Sequence, residues 1–131
     1  MTWGAYALLL VLGCVFATGC TASGLHLGAG MRVELATDGG FAAIPGLARP
    51  VLLDAVDLSP DHGAKLKRLV EAALAEKAQR GSTKAAPVPD GRRYHITILG
   101  DGARNEIEAA DPMIPPAFEA LMEFTRGNGR R

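Results

Sequence analysis

Apolar and polar residues alternate in two parts of the chain, which is the pattern of a half-buried β-strand. The first part covers residues 32–37, where Val33 and Leu35 face one way. The second is RYHITIL at residues 93–99; the tight turn GDG follows it, and ARNEIEAA then returns as its partner strand in a hairpin. An apolar segment over residues 51–56 predicts one more strand.

Apolar residues recur with helical spacing in two other segments. SPDHGAKLKRLVEAALAEKAQRG has Ser59 as a helix N-cap, Pro60 in the first helical position and Gly81 as the stop. DPMIPPAFEALMEFTRG predicts a second helix that begins near Pro116 and ends at Gly127. The residues expected to face the core are Leu66, Leu69, Val70, Ala73 and Leu74 in the first helix and Phe118, Leu121, Met122 and Thr125 in the second.

The order of these elements is strand, strand, helix, hairpin, helix. It predicts an α+β fold, with a small, mostly antiparallel sheet of about four strands and two helices packed on one face. The chain divides into a signal segment over residues 1–19, a linker over 20–31, one domain over 32–126 and a flexible basic tail over 127–131.

The first part of the chain carries no charged side chain, since every Lys, Arg, Asp and Glu lies at or after Arg32. Its apolar run AYALLLVLGCVFATG, residues 5–19, is shorter than the roughly 20 residues that span a bilayer. The length is typical of the core of a secretory signal, although no basic residue precedes it. Both cysteines, Cys14 and Cys20, belong to this part, so the domain has no disulfide and no thiolate metal site.

FATGC, which ends at Cys20, resembles the lipobox of bacterial lipoproteins. The resemblance implies cleavage before Cys20, a lipid on its thiol and a membrane partner reached through that anchor. LVLGC, which ends at Cys14, is a second candidate with a shorter apolar core, and an ordinary secretion signal or a plain N-terminal anchor is the alternative. We therefore predict a lipid-anchored protein of the cell envelope, with the outer membrane preferred because Thr21 is not acidic.

Charge and residue spacing exclude several functions. Residues 20–131 carry all 14 basic and all 14 acidic residues, whereas a nucleic-acid binder needs a basic face. His26, His62 and His95 fall in a linker, a helix start and a strand, too dispersed for a metal site. No HExxH, P-loop or GxSxG sequence occurs. The sequence thus predicts a protein that is not an enzyme, without metal, cofactor, nucleic-acid partner or small-molecule substrate.

The domain resembles the emfourin family over about residues 32–125. The motifs that carry the resemblance are RVELATDGGFAAIP, LLDAVDL and a pattern made of Pro89, Asp90, Tyr94, Ile96, Thr97, Ile98, Asp101 and Gly102. One difference is Ala43, where the family usually has a glycine. The resemblance implies an inhibitor of thermolysin-like zinc metalloproteases, which would be the partner of this chain.

Thermolysin-like proteases bind an extended segment beside a zinc ion with an open position and an apolar pocket. A rigid segment of an inhibitor could occupy that cleft through main-chain hydrogen bonds and an apolar side chain. The candidate contacts are Gly39, Gly40, Phe41, Ala42 and Ile44. Phe41 and Ile44 would fill the pocket, while the glycines would permit close backbone approach.

Two interpretations of Phe41 stay open: a side chain offered to the protease, or a core anchor that follows a turn. The outer face of the first two strands, with the loops between elements, is the alternative contact surface. The leading hypothesis is a tethered inhibitor that blocks the protease cleft. The runner-up is a non-enzymatic envelope lipoprotein that acts as a binding or structural module, and an enzyme ranks third.

Overall fold

The computed structural model describes residues 30–39, 49–81 and 90–131, and the structural statements below refer to these ranges. The elements in chain order are β1 (Arg32–Asp38), β2 (Val51–Asp54), a 3₁₀ helix (Ala55–Asp57), α1 (Pro60–Arg80), β3 (Arg93–Gly100), β4 (Ala103–Ala110) and α2 (Pro116–Asn128). The predicted α+β fold is confirmed. β2 is shorter than the predicted strand because the chain turns into the 3₁₀ helix at Ala55.

The four strands form one open sheet in the order β2-β1-β3-β4, and every neighbouring pair is antiparallel. Val33 lies opposite Ile98, and Ile96 lies opposite both Leu35 and Ile107. Residues directly opposite one another in antiparallel strands share a face of the sheet, so this register gathers the alternating apolar residues on one side. The turn between β3 and β4 uses Asp101 and Gly102, both with positive φ, as two-residue hairpins favour.

Both helices cover this apolar face, and the buried side chains between the layers form one core. Leu66, Val70 and Ala73 of α1 are buried as predicted, while Leu69 and Leu74 are half-buried at its margin. All four residues predicted for the inner face of α2 are buried, and Phe124 joins them. In the part of the chain that the structure describes, neither helix is both long and apolar enough to cross a membrane.

The predicted linker over residues 20–31 ended too late, because Met31 belongs to the folded domain. Its side chain is 3 % exposed and belongs to the core, and its carbonyl accepts a hydrogen bond of 2.8 Å from the N–H of Ala55. The folded domain therefore begins at or before Met31, because burying such a side chain contributes about 1.5–3 kcal/mol to folding.

The N-termini of both helices are capped, and the cap of α2 comes from a distant side chain of α1. Ser59 caps α1 as predicted, accepting from the N–H of His62 at 3.4 Å. Pro115 precedes α2 and offers no capping side chain. Instead Glu76 of α1 accepts from the N–H groups of Ala117 (3.1 Å) and Phe118 (3.2 Å). This carboxylate satisfies two donors that a helix N-terminus leaves open, at its positive end.

The predicted flexible tail over residues 127–131 is wrong for most of its length. α2 continues to Asn128, and Arg130 exchanges two backbone hydrogen bonds of 2.8 Å with Leu52 at the edge of the sheet. The Arg130 guanidinium also contacts the carboxylates of Asp54 (3.1 Å) and Asp57 (3.5 Å). Pairing with β2 thus orders the tail, because the edge strand offers unpaired backbone groups that Arg130 satisfies.

Asp54 lies between two arginines at this edge. A hydrogen bond from Arg32, together with the charges of Arg32 and Arg130, lowers the pKa of the Asp54 carboxyl against the opposing effect of its partial burial. The ionised carboxylate therefore links β1, β2 and the C-terminal segment.

Candidate functional site

The predicted protease contacts lie almost entirely outside the described residues. Gly39 is described, whereas the remaining predicted contacts and the predicted lipidation site are not: Gly40, Phe41, Ala42, Ile44 and Cys20. They stay predictions. The structure supplies the geometry of the residues from which the predicted segment leaves the sheet and to which it returns.

Gly39 follows the last residue of β1 and has a φ of 86°, a backbone region that favours glycine. A Cβ atom at this position would lie 2.8 Å from the backbone oxygen of Gly91. The end of β1 therefore lies close to the residues that lead into β3, whereas the predicted close approach of the glycine backbone to a protease stays a prediction. Glycine is required at residue 39 both by its φ and by this contact.

Several loops between strands and helices start or finish at one end of the sheet. β1 and β4 end there, β2 and β3 begin there, and the register places Arg93 opposite both Asp38 and Ala110. The chain leaves β1 and enters β2 at this end, and it also enters β3 here. We call this part of the surface the loop end and define it as residues 38–39, 49–50, 90–93 and 110–113.

The turn after β4 belongs to the loop end and is fixed by hydrogen bonds. The N–H of Asp111 donates to the carbonyl of Arg92 at 2.9 Å, and the N–H of Met113 donates to the carbonyl of Ala110 at 3.0 Å. The Tyr94 hydroxyl donates to the Asp111 carboxylate at 3.5 Å. Sequence analysis assigned no role to Met113, although an apolar residue among several prolines in DPMIPP could have drawn attention to it.

The formal charges of the loop end cancel. Its charged side chains are Arg49, Arg92, Arg93, Asp38, Asp90 and Asp111. Net electrostatic attraction to a partner would therefore be small here, and binding at this surface would depend on shape, hydrogen bonds and apolar contact.

His95 lies on the open face of the sheet, as the alternation of β3 predicted. Its Nε2 is 3.1 Å from Asp38 and its Nδ1 is 3.4 Å from Glu108. These cross-strand contacts give His95 a structural role between two carboxylates. In the described ranges there is also no group of three or more His, Cys, Asp and Glu residues arranged to hold a metal ion.

The outer face of β1 and β2, the alternative contact surface, is strongly polar. Arg32 and Glu34 alternate with the core residues of β1, and Leu52 and Asp54 stand opposite them on β2. The Arg32 guanidinium is bound to Asp54, so part of this surface is occupied by the cluster that holds the C-terminal segment.

An open groove of about 370 Å³ lies between α1, β4 and the start of α2. Its charged side chains make structural contacts: Glu76 caps α2, and the Lys77 ammonium donates to the backbone carbonyl of Glu106 at 2.6 Å. The latter bond also covers part of the β4 edge. Because the charged side chains of this groove hold the helices and the sheet together, the loop end is the better candidate for a functional surface.

Comparison with known proteins identifies a family. The family model named Emfourin matches residues 35–126 of the chain. Among solved structures, emfourin (M4in) from Serratia proteamaculans, an M4 family peptidase inhibitor, is similar at 26 % sequence identity. The match covers 79 % of this chain and 94 % of that chain, with a TM-score of 0.39. No curated protein matches the chain.

Proposed function

The chain belongs to the emfourin family, and from this premise we propose that it inhibits thermolysin-like zinc metalloproteases by blocking their active-site cleft. The observation that carries the proposal is the family match over residues 35–126, which contain both helices almost completely and three of the four strands in full. Members of this family are protease inhibitors and not enzymes. The protein is accordingly not an enzyme.

The loop end supports a cleft-blocking mode of inhibition. β1 pairs with β2 over residues 32–35 and with β3 as far as Asp38, so the segment that follows Gly39 starts from a strand end that is paired with β3. A segment whose ends are fixed by a sheet loses less conformational entropy on binding than a free peptide does. Such a segment, entering the cleft in extended form, would gain main-chain hydrogen bonds like those of a substrate.

Inhibition of thermolysin by residues 21–131 tests the proposal. All buried core residues of the described ranges lie at or after Met31, so this soluble domain contains the whole described fold. We expect the folded domain, checked by circular dichroism, to lower the steady-state hydrolysis of a peptide substrate in a saturable way. A serine protease serves as the control and should be unaffected. If the folded domain inhibits neither thermolysin nor any other thermolysin-like protease, the binding-module alternative is favoured.

We further propose that the chain is tethered to the cell envelope through a lipid on Cys20. The FATGC sequence and the apolar run before it support this anchor. Metabolic labelling with a fatty acid should mark the parent and the Cys14→Ser variant but not the Cys20→Ser variant. Loss of label in Cys14→Ser alone would move the anchor to Cys14, and an unlabelled parent would favour an ordinary secretion signal.

A further inference from the structure

Met113 is the most exposed large apolar side chain of the described residues, at 78 %. The chain on either side of it is anchored, because Ala110 is buried and Ile114 packs against the core. An isolated exposed apolar residue needs no explanation by itself. Met113 differs in that a short segment, anchored on both sides, exposes it at the loop end.

The backbone of Met113 is preorganised. Its N–H is bonded to the carbonyl of Ala110, and Asp111, two residues earlier, is bonded through its backbone to Arg92 and through its carboxylate to Tyr94. The Arg126 guanidinium lies 5.4 Å from the centre of the Tyr94 ring and adds a contact from α2. A side chain on such a turn pays little backbone entropy when a partner covers it.

Met113 lies on the same surface as the start of the predicted contact segment. Asp38, Arg93 and Ala110 are neighbours across three adjacent strands, so Ala110 is two strand spacings, roughly 10 Å, from the end of β1. A protease that contacts the end of β1 would therefore have the turn that carries Met113 within reach. The formal charges of the loop end cancel, so apolar contact is one of the sources of affinity left to this surface, beside shape and hydrogen bonds.

We propose that Met113 is an apolar contact between this inhibitor and its protease, packing against an apolar wall of the active-site cleft. This inference rests on the proposed function. The methionine side chain is flexible and polarizable and adapts to an irregular apolar surface. This contact would lie on the described part of the loop end, where the antiparallel sheet brings the end of β1 and the turn after β4 together.

Inhibition by single variants of the 21–131 domain tests this proposal. Met113→Ala and the nearly isosteric Met113→Gln should each raise the inhibition constant for thermolysin about tenfold, which corresponds to about 1.4 kcal/mol of lost binding free energy. Met113→Leu should retain most of the inhibition. The matched control is Val56→Ala, because Val56 is 68 % exposed but lies beyond β2, at the opposite end of the sheet.

The outcomes separate the contact from the function. Thermal unfolding should be unchanged in all these variants, because both side chains are exposed. Equal inhibition by the parent, Met113→Gln and Val56→Ala overturns the role of Met113 and leaves the proposed function standing. Equal weakening by Met113→Ala and Val56→Ala also overturns it, since the effect would not be local. A parent that inhibits no thermolysin-like protease overturns the proposed function and this inference together.

Discussion

Replacing Gly129 with alanine is expected to lower the free energy of unfolding by about 1–3 kcal/mol, the usual cost of forcing extra atoms into a packed site. A Cβ at this position would lie 2.5 Å from the Val51 side chain, 2.6 Å from the carbonyl oxygen of Thr125 and 3.0 Å from that of Leu52. Two of these three neighbours are backbone atoms, which cannot rotate away. The C-terminal segment would have to move, and the two hydrogen bonds between Leu52 and Arg130 would weaken or break.

Gly127→Ala is the matched control for this prediction. Gly127 lies inside α2, and a Cβ there would meet no atom within 4 Å. Alanine is favoured over glycine within a helix by about 0.5–1 kcal/mol, so this variant should be more stable than the parent. Urea unfolding of the parent and both variants measures the two effects. Equal stability of Gly129→Ala and Gly127→Ala would mean that the C-terminal segment is not docked against β2 in solution.

The docked tail shows where sequence reasoning stops. RGNGRR has the composition of a flexible terminus, and the strand edge that holds it is formed by residues more than seventy positions earlier. The cap that Glu76 provides for α2 could not be predicted for the same reason. Glu76 is one of several charged residues on α1, and only tertiary packing brings its carboxylate to the N–H of Phe118. Long-range contacts of single polar residues leave no periodic signal in a sequence.

Elements whose burial leaves a periodic pattern in the sequence can be predicted. Burial of one face imposes a repeat of two on β3 and β4 and of 3.6 on α1, and turn residues such as Gly81 and Gly102 mark their ends. Met31 was assigned to the linker because one apolar residue after a glycine-rich stretch makes no pattern of its own. Met31 is buried in the core, and its carbonyl accepts a hydrogen bond from the N–H of Ala55, a long-range contact that the sequence does not show.

The candidate site was predictable in part. Because β1 and β2 pair as antiparallel strands, the end of β1 and the start of β2 lie at the same end of the sheet, so the two residues that flank the predicted segment, Gly39 and Arg49, could be expected there. That the turn after β4 would present Met113 at the same end could not be read from the sequence, because DPMIPP was interpreted as the approach to a helix. The pairing of Arg93 with both Asp38 and Ala110 is what joins the two segments into one surface.

Phe41→Ala is expected to raise the inhibition constant for thermolysin by about 30-fold or more, the effect of removing an interface residue worth at least 2 kcal/mol. Phe41 is the largest apolar side chain in GGFAAI, and the segment follows Gly39, whose backbone lies close to that of Gly91. An aromatic side chain that fills the apolar pocket of the cleft would lose most of its buried area on truncation to alanine. The measurement is steady-state inhibition by residues 21–131 with and without the substitution.

The two interpretations of Phe41 predict different combinations of stability and inhibition. A protease contact gives a variant with the thermal unfolding of the parent and strongly weakened inhibition. A core anchor gives a variant destabilised by about 3–5 kcal/mol, the cost of removing a buried aromatic side chain, whose folded fraction still inhibits. Phe41→Leu separates them further, since leucine keeps apolar volume in a pocket but loses the aromatic ring. Unchanged stability together with unchanged inhibition would contradict both interpretations and would leave Met113, at the same end of the sheet, as the apolar contact to test first.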